Sequence, residues 1–178
     1  MTPSVHIKLG TEMHAHHYES IAVVHAVPAE LYAFADDHSR LSSHMSKSSW
    51  MMGGGSMSIE TDDGGGRAVG SKLTLRGAVF GLQLKVEERV TERSPPYRKV
   101  WATEGAPKLL VIGPYEMGFE VQPLEKGSRM KVFINYSWPT GVFGVACGFL
   151  FGRAYARWCT MRMANDAASH FEAINARA

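Results

Sequence analysis

The sequence predicts an α+β fold in which an antiparallel sheet lies against one long C-terminal helix. Three observations carry this reading. From residue 50 to 138, glycine- and proline-rich turn signals separate short β-type runs. The connections between consecutive runs are short, which favours an antiparallel meander over crossover connections. After Pro139 the periodicity changes: Val142, Val145, Phe149, Gly152, Ala156, Cys159, Met163, Ala167, His170 and Ile174 recur every three or four residues. A single amphipathic helix of that length must bury its apolar stripe on one sheet face, giving two layers.

Each element follows from local residue types. "HAHHYESIAVVHAV" (14–27) is β-branched and partly alternating, hence a strand. Pro28 suits the first turn of a helix that places Leu31, Phe34 and Ala35 at helical spacing, and a second short helix is expected through "HSRLSSHMSK". The stretch "WMMGGG" (50–55) is followed by a strand-like "SMSIETDD" with no lysine. It therefore lacks the features of a phosphate loop and reads as a strand that bends, with Trp50, Met51 and Met52 entering the sheet where it curls. Bulges shift register, so the inward face of 50–61 stays open at this point. Turns at "DDGGG", Gly77–Gly81, "SPPY", Gly113-Pro114 and "EKGS" delimit the remaining strands, for about seven in all. The whole of 1–178 is expected to form one domain, with 1–13 a loose N-terminal extension.

Composition excludes several classes. A net charge of +2 without a basic run does not suit nucleic acid. The apolar run 141–152 is too short to span a bilayer. No charged-then-apolar signal pattern opens the chain, and Cys147 and Cys159 on one helix would lie roughly 18 Å apart, too far for a disulfide. A reducing, cytoplasmic location is the expectation. "HAHH" (14–17) places at most two imidazoles on one side of a strand, with no third ligand at a recognised spacing, so no metal and no cofactor is expected.

Four motifs in order resemble one superfamily. "VHAVPAELYAFADD" looks like its first strand, its alanine-proline entry and its first helix. "DDGGGRAVGSK" is similar to its glycine-rich turn between strands two and three. "VEERVTERSPPYRKVW" resembles its strand four, double proline and strand five, and "YARWCTMRMANDAASHF" its last helix. The superfamily is the START, polyketide-cyclase and pollen-allergen group (SRPBCC). The resemblance implies a helix-grip fold, a sheet curled round the long helix and usually enclosing an apolar cavity. Its members include lipid carriers, cyclases, receptors and chaperone activators, so fold does not settle function.

Cavity candidates follow from period two. Leu82, Leu84 and Val86 share one strand face, as do Tyr115, Met117, Phe119 and Val121, and Met130, Val132, Ile134, Tyr136 and Trp138. Trp101, Trp50 and Met52 join them, with Val145, Gly148, Phe149 and Gly152 from the helix. Small residues at Gly144, Gly148, Gly152 and Ala156 either leave ligand space or pack closely on the sheet or a second subunit. His25, on the face of Ile21 and Val23, is a candidate proton-exchanging cavity histidine. Glu88 follows Leu84 and Val86 inward under strict alternation, but a bulge at "EER" is favoured and would turn it out. Tyr115 and Tyr136 are candidate hydrogen-bonding groups. The primary expectation is a binder of a hydrophobic or amphipathic small molecule, lipid or polyketide-like. The second is a cyclase or dehydratase, which requires at least two of His25, Glu88, Tyr115 and Tyr136 to converge in one pocket. A protein-interaction module or homodimer would instead show a large exposed apolar patch.

Overall fold

A computed structural model describes residues 14–41, 56–79, 82–105, 107 and 109–177. Trp50, Met52, the triple glycine and the N-terminal extension lie outside them, as does the later part of the expected second helix.

Seven antiparallel strands form one sheet: β1 (His16–Val24), β2 (Ser56–Thr61), β3 (Lys72–Val79), β4 (Leu82–Ser94), β5 (Arg98–Thr103), β6 (Tyr115–Leu124) and β7 (Gly127–Tyr136). Their spatial order is β1-β7-β6-β5-β4-β3-β2, a meander closed at one side by the first strand. Helices α1 (Pro28–Asp36) and α2 (His38–Leu41) follow β1. The C-terminal helix runs as α3 (Gly141–Cys147), a π-helical turn (Gly148–Gly152) and α4 (Arg153–Asn175). This is the α+β helix-grip architecture.

Alternation places the inner face. Val86, Phe119, Val121, Met130, Val132 and Ile134 are all buried, and α4 meets them with Ala156, Cys159, Met163, Ala164 and Ala167. The long helix packs mainly on β1 and β7. Close approach there requires small inward side chains, and β1 supplies Ser20 and Ala22 beneath α4. The Ser20 and Thr160 hydroxyls hydrogen-bond at 2.8 Å.

That choice overturns the expected orientation of β1. Ile21 and Val23 are more than half exposed, and His25, on their face, is exposed as well. Ile21 and Val23 sit outside because alternation gives the inner face to His16, Tyr18, Ser20, Ala22 and Val24, with the small Ser20 and Ala22 where α4 crosses. The backbone carbonyl of His25 accepts a hydrogen bond from Asn175 Nδ2 at 2.9 Å.

The glycine row resolves as close packing. A Cβ on Gly148 would lie 2.9 Å from the Trp138 ring, and one on Gly144 2.9 Å from Pro139. One on Gly152 would lie 3.1 Å from the Val111 carbonyl oxygen. The helix start therefore reaches the body through glycines, and its larger side chains turn away. Val145 and Phe149 are exposed, Phe149 by 71%.

Candidate functional site

A cavity of about 40 Å³ lies between the sheet and α4. At roughly 10–15 Å³ per water it has room for about three waters. Glu88, Trp101, Tyr115, Met117 and Ile134 from the sequence-derived candidates line it, together with Met57, Ile59, Leu75, Val86, Leu109, Ile112, His38, Tyr155, Cys159 and Met163. Most of this wall is apolar, and three of its members are methionines, whose flexible thioethers adapt to varied shapes. The inward set of β2, left open by the sequence, includes Met57 and Ile59.

Other candidates fall elsewhere among the described residues. Leu84 and Phe119 are buried in the sheet but are not part of the cavity wall. Tyr136 is buried near Gly152 and His16, and Trp138 stacks on His16 at 4.6 Å. His17 points the other way, bonding Asn135 Oδ1 at 2.6 Å.

Glu88 is the centre of the polar part of the cavity. The expected bulge exists, but it falls between Val90 and Glu92, beyond Glu88 rather than at it. Alternation through Leu84 and Val86 therefore persists, and Glu88 points inward with 4% exposure. Its Oε1 accepts a short hydrogen bond from the Tyr115 hydroxyl. Tyr115 is itself fixed at the backbone: its N–H donates to Thr103 Oγ1 at 3.1 Å, and that hydroxyl donates back to the Tyr115 carbonyl.

Electrostatics follow from burial. Loss of water pushes the Glu88 carboxyl up to about 7, and the Tyr115 hydrogen bond opposes that rise. Burial, with the neighbouring Glu88, holds the Tyr115 phenol well above its ordinary value. On α4, Tyr155 and Cys159 are hydrogen-bonded partners one turn apart. Burial pushes the Cys159 thiol up to about 12, so it stays a thiol at neutral pH.

His38 forms another polar point of the wall, one that residue order alone does not single out. It opens α2, where Asp37 accepts hydrogen bonds from the Ser39 and Arg40 N–H groups. The imidazole meets Trp101 edge-on at 4.8 Å. Gly66, at φ 71°, lies against it: a Cβ there would sit 2.7 Å from Leu73 and 3.1 Å from His38. Burial, aided by the charge of Lys99, pulls the imidazole down to about 3, so it is neutral. Its Nε2 is buried without a hydrogen-bond partner among the described residues.

Close by lies a second buried polar cluster with no spare capacity of this kind. Lys99 is fully buried and donates to the Asp36 carbonyl at 3.0 Å and to Asp36 Oδ1 at 2.6 Å. Arg93 donates to Asp36 Oδ2 at 2.8 Å. Burial alone would raise the Asp36 carboxyl, but hydrogen bonds from Arg93 and Lys99 outweigh it and hold the group below its ordinary range.

Among the described residues no group of three or more histidine, cysteine, aspartate or glutamate side chains could hold a metal ion, and no helix is long and apolar enough to cross a membrane. Chemically, the cavity offers a carboxyl that exchanges protons near neutral pH, a phenol orienting it, and a neutral imidazole, all inside an apolar enclosure.

No protein-family model and no curated protein sequence matches the chain. Solved structures do. The Zhui aromatase/cyclase from Streptomyces sp. R1128 superimposes with a TM-score of 0.66 at 10% identity, covering 88% of this chain and 93% of that one. TTHA0849 from Thermus thermophilus gives 0.64 at 15% identity, covering 89% and 99%. Ara h 8.0201 gives 0.57 at 13% identity, covering 86% and 98%. At these identities the likeness is one of fold. The chain shares the helix-grip fold of these structures.

Proposed function

We propose that the protein binds an apolar or amphipathic small molecule, with the polar end of the ligand at Glu88 and Tyr115. The observation that carries this reading is a buried, hydrogen-bonded carboxyl–phenol pair set in a mostly apolar cavity wall. A buried carboxyl is costly, and the Tyr115 hydroxyl fills only part of its hydrogen-bonding capacity. Its presence is accounted for by a ligand group that hydrogen-bonds it.

The volume sets a condition. Pockets for drug-sized molecules occupy about 300–1,000 Å³, far above the enclosed space here. A ligand larger than a few heavy atoms must therefore part the walls, and Met57, Met117 and Met163 are the side chains best able to rearrange. Native mass spectrometry of gently purified protein tests the reading. A co-purifying small molecule, displaced by lipid extract and reduced in a Met117→Trp variant that fills the space, supports it. Protein that is always ligand-free and displaces no lipophilic fluorophore contradicts it.

A second reading, catalysis, is favoured by one specific observation. Two of the four polar candidates, Glu88 and Tyr115, converge in one cavity within hydrogen-bonding reach, and one protein of similar fold is an aromatase/cyclase. In this reading Glu88 moves a proton on a substrate held in a shaped enclosure. Glu88→Gln would then retain ligand but lose exchange of solvent deuterium into it. Equal exchange by both proteins would leave binding alone.

A further inference from the structure

The start of the C-terminal helix carries large apolar side chains that stay largely exposed, Phe149 meeting the Trp138 ring edge-on at 5.9 Å and otherwise facing outward. Val142 is 91% exposed, Phe143 76%, and Phe149, Leu150 and Phe151 are each more than half exposed. In α3 and the π-helical turn only Gly148 and Gly152 are buried, so the body is met by glycine and solvent by phenylalanine and leucine. A concentration of this kind marks a contact surface.

The chemistry beside it narrows the occupant. A groove on the outer side of the helix continues from Phe149 and Leu150 along Arg153, Arg157, Trp158 and Arg162. The Arg153 guanidinium lies over the Tyr18 ring at 5.9 Å, and Arg157 Nε donates to the Met161 sulfur at 3.3 Å. Neither contact neutralises an arginine charge. A two-fold contact between copies through this face would bring like charges together. A lipid surface instead offers an apolar interior to the aromatic side chains and headgroup anions to the arginines one turn away.

We propose that this helix start docks peripherally onto a lipid bilayer bearing anionic headgroups. The proposal is independent of what the cavity holds. It is tested by sedimentation of the full chain with phosphatidylcholine vesicles prepared with and without phosphatidylglycerol. The protein is expected to partition onto the anionic vesicles and to be released by salt. Phe149→Ser combined with Leu150→Ser should lower the partition coefficient by more than about tenfold. Arg157→Gln should lower it about fivefold on anionic vesicles and leave it unchanged on neutral ones. All three positions are exposed, and unchanged melting temperatures verify that the variants fold. Absence of vesicle binding, or binding indifferent to these substitutions, overturns the proposal. So does a dimer, measured by light scattering, that Phe149→Ser dissociates while vesicles fail to bind the parent.

Discussion

Two buried polar clusters sit within the same core and are built on opposite terms. Around Asp36, charges are matched: one carboxylate receives Arg93 and Lys99, and its own carbonyl takes a further Lys99 proton. Around the cavity, groups are under-matched. Among the described residues Glu88 has one phenol and no cation, and His38 Nε2 has no partner. The first arrangement ties α1 to β4 and β5 and leaves nothing to offer a ligand. The second keeps hydrogen-bonding capacity inside an apolar wall, which is the condition for recognising a small molecule. Buried polarity is thus structural where it is saturated and available for function where it is not.

The largest effect should come from breaking the matched cluster. Asp36→Ala strands the buried Lys99 ammonium without a carboxylate and should cost about 3–5 kcal/mol, read as a lowered denaturation midpoint. The folded Asp36 carboxyl lies below its ordinary value of 3.8, so its stabilisation is present above that pH and lost as pH falls through the lowered value.

Glu88 should behave with the opposite sign. Its folded value is raised from 4.5 to about 7, so its favourable contribution is complete below pH 4.5 and is lost as pH rises through 7. Parent stability should fall across that interval by up to about 3 kcal/mol, and Glu88→Gln should flatten the slope in urea denaturation at successive pH values. A parent and variant with parallel profiles would place Glu88 among ordinary surface carboxyls.

Gly148→Leu disturbs neither cluster and serves as a packing reference. Its side chain meets the Trp138 ring, so a loss of about 1–3 kcal/mol is expected, with ligand capacity intact. A neutral or stabilised variant that binds less probe would instead reveal space at Gly148. The smallest change is Tyr115→Phe. Removing the hydrogen bond that restrains Glu88 should raise its titration further, with a stability cost of about 1 kcal/mol.

Part of the cavity wall is legible in residue order. Period two on β4, β6 and β7 identifies Glu88, Tyr115, Met117 and Ile134, because those strands alternate without interruption across the cavity. The bulge of β4 is legible in kind but not in place, since "EER" and the adjoining "VTE" offer equal local reasons to break register and only pairing with β5 decides between them. Periodicity misplaces His25 because branched residues at 21 and 23 resemble a core face, whereas the inner side of β1 is set by the closeness of α4. His38 and Tyr155 carry no periodic signal strong enough to single them out: a four-residue helix has no stripe, and Tyr155 lies beside the small-residue row rather than on it. The glycine spacing is visible, yet whether it makes space or removes it depends on Trp138 and Pro139, which arrive from another element.

Glu88 is a buried, under-matched carboxyl, whereas Asp36 is a matched one. Carbon-13 NMR of the side-chain carboxyls during a pH titration reads both groups in one sample. Glu88 should titrate near 7, with Asp36 remaining ionised to below 3.8. Glu88 titrating near 4.5 with the surface glutamates would contradict the account.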